Sequence, residues 1–290
     1  INKKNTWHKF GAIAACLCIA AVSAIAFFPN LRNNTTQPRW PIKELPITQQ
    51  SGGEISVLPK WKDLGLSQQY SKLIFENKTY YGTICKIDKD KLGDSIGEKT
   101  LSGQDNYTEE IKHKDGTLYF INGISTECAV AVQFNGGKDY YIYRNSGYNP
   151  STLGQLINDL NLRNNMTFGS VWYNHQKESG EYATIEFVNL QKSVVWDILL
   201  ADESISNVKD YDNMWFNSVM SVSVNIPLLG YENINLSVTD NGYVTTNILD
   251  SGKAFYIGAD KVNAFVNYIL KNCKGYEIVY VATEDVGEPE

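Results

Sequence analysis

The residue types that carry out metal or phosphate chemistry occur in this chain without the spacing that such chemistry needs. The three histidines are His8, His113 and His175, and none belongs to an HExxH pattern, which places two zinc ligands on one helix face. The sequence contains no GxxxxGKS/T phosphate loop and no GxGxxG motif after a strand. We therefore predict no catalytic residue, no cofactor and no enzymatic activity.

One acidic stretch comes close to a calcium-binding loop. Asp88, Asp90 and Gly93 match the first, third and sixth positions of such a loop. Leu92 and Lys99, however, occupy two positions that need oxygen ligands. A plain surface turn explains the stretch better, so we predict no metal site.

Tyrosines cluster in a predicted strand at 140–143. In an extended strand Tyr141 and Tyr143 point to one face and Tyr140 to the other, so one set packs the core while the other meets solvent. Exposed rings could stack on sugars or on a peptide, whereas ordinary cross-strand packing is the more frequent reason for such a row. Tyr141 and Tyr143 are the candidate ligand-binding residues.

The charge of the chain argues against polyanionic partners. The formal net charge is −6, and the first 33 residues carry four basic side chains and no acidic one. The remainder therefore holds 22 of the 26 basic residues against all 32 acidic residues, a net charge of −10. Such a domain repels phosphate backbones, so we predict no nucleic-acid partner.

The cysteines do not form a recognisable disulfide or metal framework. Cys16 and Cys18 fall in an apolar run, which leaves Cys85, Cys128 and Cys273 for the folded part. No CxxC or metal-type spacing relates these three. We expect them to be small apolar core residues, with one disulfide and a free thiol as the alternative.

An uncharged run at 10–28 predicts a membrane anchor. As a helix it would span roughly 28 Å, close to the thickness of the hydrocarbon core of a bilayer. Lys3, Lys4 and Lys9 precede the run and only Arg32 closely follows it, which places residues 1–9 in the cytoplasm. The chain is then a single-pass protein of the cell membrane whose C-terminal part lies outside the cytoplasm.

Two alternatives to this anchor remain open. Ala24 and Ala26 form a small-residue site of the kind that signal peptidase cleaves, and cleavage there would release a secreted protein. Ile13 to Cys16 match a lipobox, but the apolar segment before this cysteine is too short for a lipoprotein signal.

The rest of the chain divides into a tether and a folded domain. Residues 29–59 contain five prolines and a polar run, which is typical of an extended spacer. Residues 60–290 mix strand and helix patterns, with a candidate subdivision near 165–180. Hairpin turns are predicted at Glu76-Asn77-Lys78, Asn135-Gly136-Gly137-Lys138 and Asp240-Asn241-Gly242. These hairpins and intermittent helices predict an α+β fold built on antiparallel sheets.

Two helical stripes within this domain share the same spacing. Leu153, Leu156, Ile157 and Leu160 form the first and Val262, Phe265, Val266 and Ile269 form the second. Each follows predicted strands, so the domain could contain two related ββα units, with chance periodicity as the alternative. Pro150 and Ser151 are predicted to open the first of these helices, and Ser193 to cap a further helix that buries Val194, Val195, Ile198 and Leu199.

The N-terminal run carries a resemblance to a known group of proteins. Residues 3–18 fit the pattern KKxxWxKxGAIAACLC. This pattern resembles the membrane segment of uncharacterised single-pass proteins from low-GC Gram-positive anaerobes. The stretches 127–132, 148–154 and 242–247 are similar to the outer domains of that group.

The resemblance implies a regulatory layout. Members of the group are arranged like anti-sigma factors, with a short cytoplasmic segment, one membrane span and an outer sensing domain. It implies that residues 60–290 sense an extracellular ligand or partner protein. The competing prediction is a cell-surface module that binds a glycan or a peptide and does not signal.

Overall fold

The structure is a computed structural model that describes residues 59–176, 180, 182–211 and 214–278. The predicted cytoplasmic stub, the anchor at 10–28, the signal-peptide alternative and the tether before Pro59 lie outside these residues. In the part of the chain that the structure describes, no helix has the length and apolar character needed to cross a membrane.

Six antiparallel strands close into a barrel in the order β1-β2-β6-β5-β4-β3. The strands are β1 (Lys72–Phe75), β2 (Lys78–Ile87), β3 (Leu92–Gln104), β4 (Ile111–Ile121), β5 (Ala129–Phe134) and β6 (Tyr140–Arg144). The predicted hairpin turns are confirmed. Glu76 and Asn77 have φ of 49° and 60°, and Gly136 has φ of 80°, which are the left-handed conformations that tight hairpins require.

The barrel encloses its own apolar core. Its fully or almost fully buried members are Leu73, Phe75, Tyr80, Leu101, Leu118, Val130, Val132, Phe134 and Tyr143. Alternate residues of the same strands point outward, as the two-residue period of a strand demands. In β5 and β6 the outward residues Ala131 and Ile142 are also fully buried, because they pack against the second part of the domain.

That second part is a seven-stranded antiparallel sheet with the order β12-β11-β10-β9-β7-β8-β13. Its strands are β7 (Thr167–Gln176), β8 (Tyr182–Val188), β9 (Ser218–Ile226), β10 (Tyr231–Thr239), β11 (Tyr243–Thr246), β12 (Lys253–Tyr256) and β13 (Lys274–Ile278). Gly242, with φ of 92°, completes the predicted turn between β10 and β11. The domain is therefore α+β with antiparallel sheets, as the sequence predicts.

Among the described residues, five α-helical segments accompany the sheets. They are α1 (Leu66–Gln69), α2 (Leu153–Asp159), α3 (Leu162–Asn165), α4 (Lys192–Val194), which continues as a π-helical turn (Val195–Leu199), and α5 (Ala259–Asn272). Short 3-10 turns occur at Trp61–Asp63, Lys89–Lys91, Pro227–Leu229 and Ile248–Asp250. Helices α2 and α5 contain the two predicted stripes apart from Leu160, which is the C-cap of α2, and every stripe residue is buried except Val266, which is half-buried.

The predicted helix starts are less accurate than the stripes. The N-cap of α2 is Thr152, whose hydroxyl accepts a hydrogen bond from the Gln155 amide at 3.1 Å, and not Pro150 or Ser151. Ser193, the predicted cap of α4, lies inside that helix, and the N-cap is Gln191. A helix boundary depends on one local hydrogen bond, whereas an apolar stripe extends over several helical turns. The sequence therefore predicts the stripe more accurately than the boundary.

One large core joins the barrel to the sheet. It contains the outward barrel residues, the apolar faces of α2 and α5, and residues of β7 to β12. The chain passes from the barrel to the seven-stranded sheet between Arg144 and Thr167. The subdivision of the domain near 165–180 stays a prediction. The order strand, strand, helix recurs in β5-β6-α2 and β11-β12-α5, but a relationship between these units stays a prediction as well.

The three cysteines of the folded part are free thiols. Cys128 is completely buried in the large core, which agrees with the expected apolar role, while Cys85 and Cys273 are half-buried at its border. The disulfide alternative is therefore wrong for these three residues.

Candidate functional site

A concave pocket of about 490 Å³ opens beside the barrel. Its walls come from the β1-β2 turn, the loop before β5, the loop between β6 and α2, and the first turn of α2. The lining residues are Asn77, Lys78, Thr79, Glu127, Asn145, Gly147, Tyr148, Asn149 and Gln155. Amides and hydroxyls dominate this lining, so the pocket is polar, and its volume lies within the usual range for small-molecule sites.

An ion pair spans two walls of the pocket. The Lys78 ammonium lies 2.7 Å from a carboxylate oxygen of Glu127. The hydrogen bond to Glu127 raises the pKa of Lys78, so the ammonium keeps its charge at neutral pH. The two charges cancel within the lining, while the exposed carboxylate of Glu76, just outside it, lies 3.9 Å from the same ammonium.

The loop that contains Glu127 is held from both sides. The Tyr80 hydroxyl of β2 donates to the carbonyl oxygen of Thr126 at 2.7 Å, and the Asn145 side chain donates to the carbonyl oxygen of Glu127 at 2.7 Å. Burial of the Tyr80 ring raises the pKa of its hydroxyl, which therefore remains a donor. The carboxylate of Glu127 is thus presented from a fixed backbone.

The loop between β6 and α2 is equally well connected. Asn145 accepts a hydrogen bond from the Gly147 amide at 3.0 Å, and Asn149 accepts one from the Asn207 side chain at 2.6 Å. The Tyr148 hydroxyl donates to Asp159 of α2 at 2.8 Å. Only 5% of Tyr148 is exposed, so its ring supports the loop from below. These contacts preform the pocket before any ligand arrives.

Several polar groups of the pocket remain available to a ligand. The side chains of Asn77 and Thr79 make no hydrogen bond to any residue that the structure describes. Asn149 uses its amide oxygen, while its amide nitrogen has no partner among the same residues. Asn77 occupies a left-handed position of the β1-β2 turn, and this turn places its side chain at the pocket. These groups offer both donors and acceptors to a bound molecule.

A buried lysine lies beneath this region. Lys253 is fully buried, and its ammonium donates to the carbonyl oxygen of Ile248 at 2.6 Å, to the carbonyl oxygen of Ser251 at 2.9 Å and to the Ser251 hydroxyl at 2.8 Å. The Ser251 hydroxyl in turn donates to the carbonyl oxygen of Tyr148 at 3.4 Å. Burial lowers the pKa of Lys253 to about 8. Lys253 therefore supports the loop that forms the pocket floor, and its buried ammonium is not part of the pocket lining.

Neither predicted tyrosine lines the pocket. Tyr143 is fully buried in the barrel, and its hydroxyl donates to the carbonyl oxygen of Tyr70 at 2.6 Å. Tyr141 is half-buried beside the same core, 5.9 Å from the Phe134 ring and with Lys86 over its own ring. The face that carries both candidate residues is the inner face of a closed barrel, so Tyr143 offers no surface to a ligand. A binding role for Tyr141 stays a prediction.

The sequence also contains a GxSxG match, at Gly93 to Gly97. A serine nucleophile of this type needs a tight turn between a strand and a helix. Here Ser95 lies within the barrel strand β3 and its hydroxyl donates weakly to the carbonyl oxygen of Leu118, at 3.5 Å. His113 is on the neighbouring strand but pairs with Ser102, several residues further along. The geometry therefore does not reproduce a nucleophile elbow.

The calcium-like stretch forms a surface turn. Lys89 to Lys91 make one 3-10 turn, and Asp90 forms an ion pair with its neighbour Lys91 at 2.9 Å. Among the residues described by the structure, no three His, Cys, Asp or Glu side chains come together as a metal site would require.

The lining of the pocket was not found from the sequence. Asn77, Glu127 and Asn149 come from three separate turns, and none belongs to a spaced motif. The one available signal was the concentration of Asn, Gly and Tyr at 145–149, which is typical of a shaped loop. No protein-family model, no curated protein and no solved structure matches this chain.

Proposed function

We propose that the folded domain is a binding module without enzymatic activity, and that its pocket takes a neutral, hydroxyl-rich ligand such as a segment of a polysaccharide. The observation that supports this proposal is the composition of the pocket. Uncharged amide and hydroxyl groups are grouped around one neutralised ion pair on a preformed scaffold.

Hydroxyl-rich ligands match this lining chemically. Each sugar hydroxyl is one donor and two acceptors, so it needs both kinds of partner close together. The amide of Asn77 supplies both, while Glu127 and Lys78 supply an acceptor and a donor side by side. Ligands with a strong negative charge fit less well, because the chain beyond residue 33 carries a net charge of −10.

The proposal fits either of the two functions that the sequence suggests. A surface module that binds glycans needs the pocket and an attachment, and a sensor needs the same pocket with an output across the membrane. The anti-sigma-like role stays a prediction, because the membrane and cytoplasmic segments lie outside the described residues.

A glycan array probed with the full-length chain in detergent tests the proposal. Asn77→Gly removes the free amide and retains a residue that accepts φ of 60°, so the turn is kept. Glu109→Gly is the matched control, since Glu109 also has a positive φ, of 59°, and lies outside the pocket lining in the turn between β3 and β4.

We expect neutral oligosaccharides to bind the wild-type chain, and Asn77→Gly to weaken binding by about three- to tenfold. Glu109→Gly should retain the wild-type signal. An array without any neutral hit, or an equal loss in both variants, would refute the proposal, and exclusive capture of peptides on a parallel array would replace it with peptide binding.

A further inference from the structure

The two most exposed aromatic rings of the described residues flank a single turn. Trp215, just before β9, is 65% exposed, and Tyr256, at the end of β12, is 55% exposed. Between them lies the β10-β11 turn. Asn241 of this turn donates to the carbonyl oxygen of Trp215 at 3.3 Å, and the Tyr256 ring packs against Gly242, where an added Cβ would lie 2.9 Å from the ring.

The Tyr256 ring is held in place from behind. It makes an edge-on contact with Tyr243 at 5.1 Å between ring centres. Tyr243 contacts Phe216 at 5.3 Å, and Phe216 contacts Tyr211 at 5.0 Å. A ring that is oriented in advance loses little entropy when a ligand packs on it. The row of aromatic rings therefore supports the solvent-exposed ring of Tyr256 at its outer end.

Polar groups of the turn lie beside these rings. Asp240 and Asn241 are exposed. One carboxylate oxygen of Asp240 accepts a hydrogen bond from the Asn217 side chain at 2.7 Å, and the other has no hydrogen-bond partner among the described residues. Asn241 accepts from the Thr239 hydroxyl at 2.7 Å, which orients its amide. The turn thus offers an oriented carboxylate and an oriented amide next to the Tyr256 ring and to the backbone of the exposed Trp215.

We propose that Trp215, Tyr256, Asp240 and Asn241 form a second carbohydrate site that binds a pyranose unit of a neutral oligosaccharide. The C–H face of a pyranose is apolar and weakly positive, so it packs on the negative face of an aromatic ring. Its hydroxyls require the acceptors and donors that Asp240 and Asn241 present. The free carboxylate oxygen repels acidic sugars and phosphates. The site is separate from the pocket near Asn77 and does not depend on it.

Isothermal titration of the full-length chain in detergent with chitohexaose, cellohexaose and mannohexaose tests this site. Trp215→Ala and Tyr256→Ala should each weaken the binding of at least one of these sugars by about tenfold. Tyr276→Ala is the matched control, because Tyr276 is also an exposed tyrosine but lies on β13 at the opposite edge of the sheet. Its affinity should equal that of the wild type.

Two further readouts separate this site from the pocket and from misfolding. The emission of exposed Trp215 should shift to shorter wavelength when sugar binds, and Asn77→Gly in the pocket should leave this shift intact. Asp240→Asn, which preserves the shape of the side chain, should weaken binding without changing the circular dichroism spectrum. Failure of all three sugars to bind, wild-type affinity in both Trp215→Ala and Asp240→Asn, or an equal loss in Tyr276→Ala would overturn the proposal.

Discussion

The Lys253 ammonium donates a hydrogen bond of 2.6 Å to the carbonyl oxygen of Ile248. A second bond of 2.9 Å reaches the carbonyl oxygen of Ser251, so the lysine connects both ends of a short loop. Between them, Leu249 and Asp250 have φ of 61° and 59°, a conformation that costs about 1 kcal/mol or more for residues other than glycine. The buried lysine therefore stabilises a strained loop under the pocket.

Burial of this lysine predicts an unusual dependence of stability on pH. The folded-state pKa of Lys253 is about 8, below the ordinary value of 10.5, so between these pH values the unfolded chain binds more protons than the folded chain. The contribution of Lys253 to the free energy of unfolding should consequently rise with pH across this window, by up to about 3 kcal/mol.

Urea denaturation of the wild type and of Lys253→Met between pH 7 and pH 11 measures this contribution, since other titrating groups are common to both proteins. The difference between the two free energies of unfolding should move in favour of the wild type above pH 8. A difference that does not change with pH would show that Lys253 has an ordinary pKa.

Gly230 predicts a second stability effect. Its φ is 72°, and a Cβ at this position would clash with the Cys85 side chain. Gly230→Ala should therefore combine backbone strain of about 1 kcal/mol with a steric cost of about 1 to 3 kcal/mol. Gly136→Ala is the control, because Gly136 has φ of 80° and no atom within 4 Å of the added Cβ. Equal losses of unfolding free energy in the two variants would contradict the clash.

The local part of the fold could be predicted from the sequence. The hairpin turns at Asn77, Gly136 and Gly242 were found because their conformation requires particular residues at adjacent positions. The apolar stripes of α2 and α5 were found because one side of each helix must face a core. The turn residues and the apolar stripes are both local signals, because each is contained in one short segment of the chain.

The barrel and the pocket could not be predicted in the same way. Alternation in β6 shows that Tyr141 and Tyr143 share a face, but it does not show that this face is enclosed by five other strands. The pocket brings Asn77, Glu127 and Asn149 together through contacts between distant segments. Such contacts depend on the order of strands, which no local pattern specifies.

The membrane anchor predicted at 10–28 has its own test. The basic residues before the run place the N-terminus in the cytoplasm and therefore the C-terminal domain outside. Protease treatment of intact cells should then remove the C-terminal domain. Digestion only after lysis would show that the orientation is wrong. Recovery of the domain in the culture medium would favour the signal-peptide alternative.

The central claim, that the polar pocket binds neutral sugars, is tested most directly by titrating the oligosaccharide that binds best on the array into the full-length chain. Glu127→Gln keeps the shape of the side chain while it removes the charge that pairs with Lys78, and Asn77→Gly removes the free amide from an unchanged turn. We predict that each substitution weakens binding by about three- to tenfold while Glu109→Gly leaves it unchanged. Unchanged affinity in both Asn77→Gly and Glu127→Gln would contradict the account, because the ligand would then bind elsewhere.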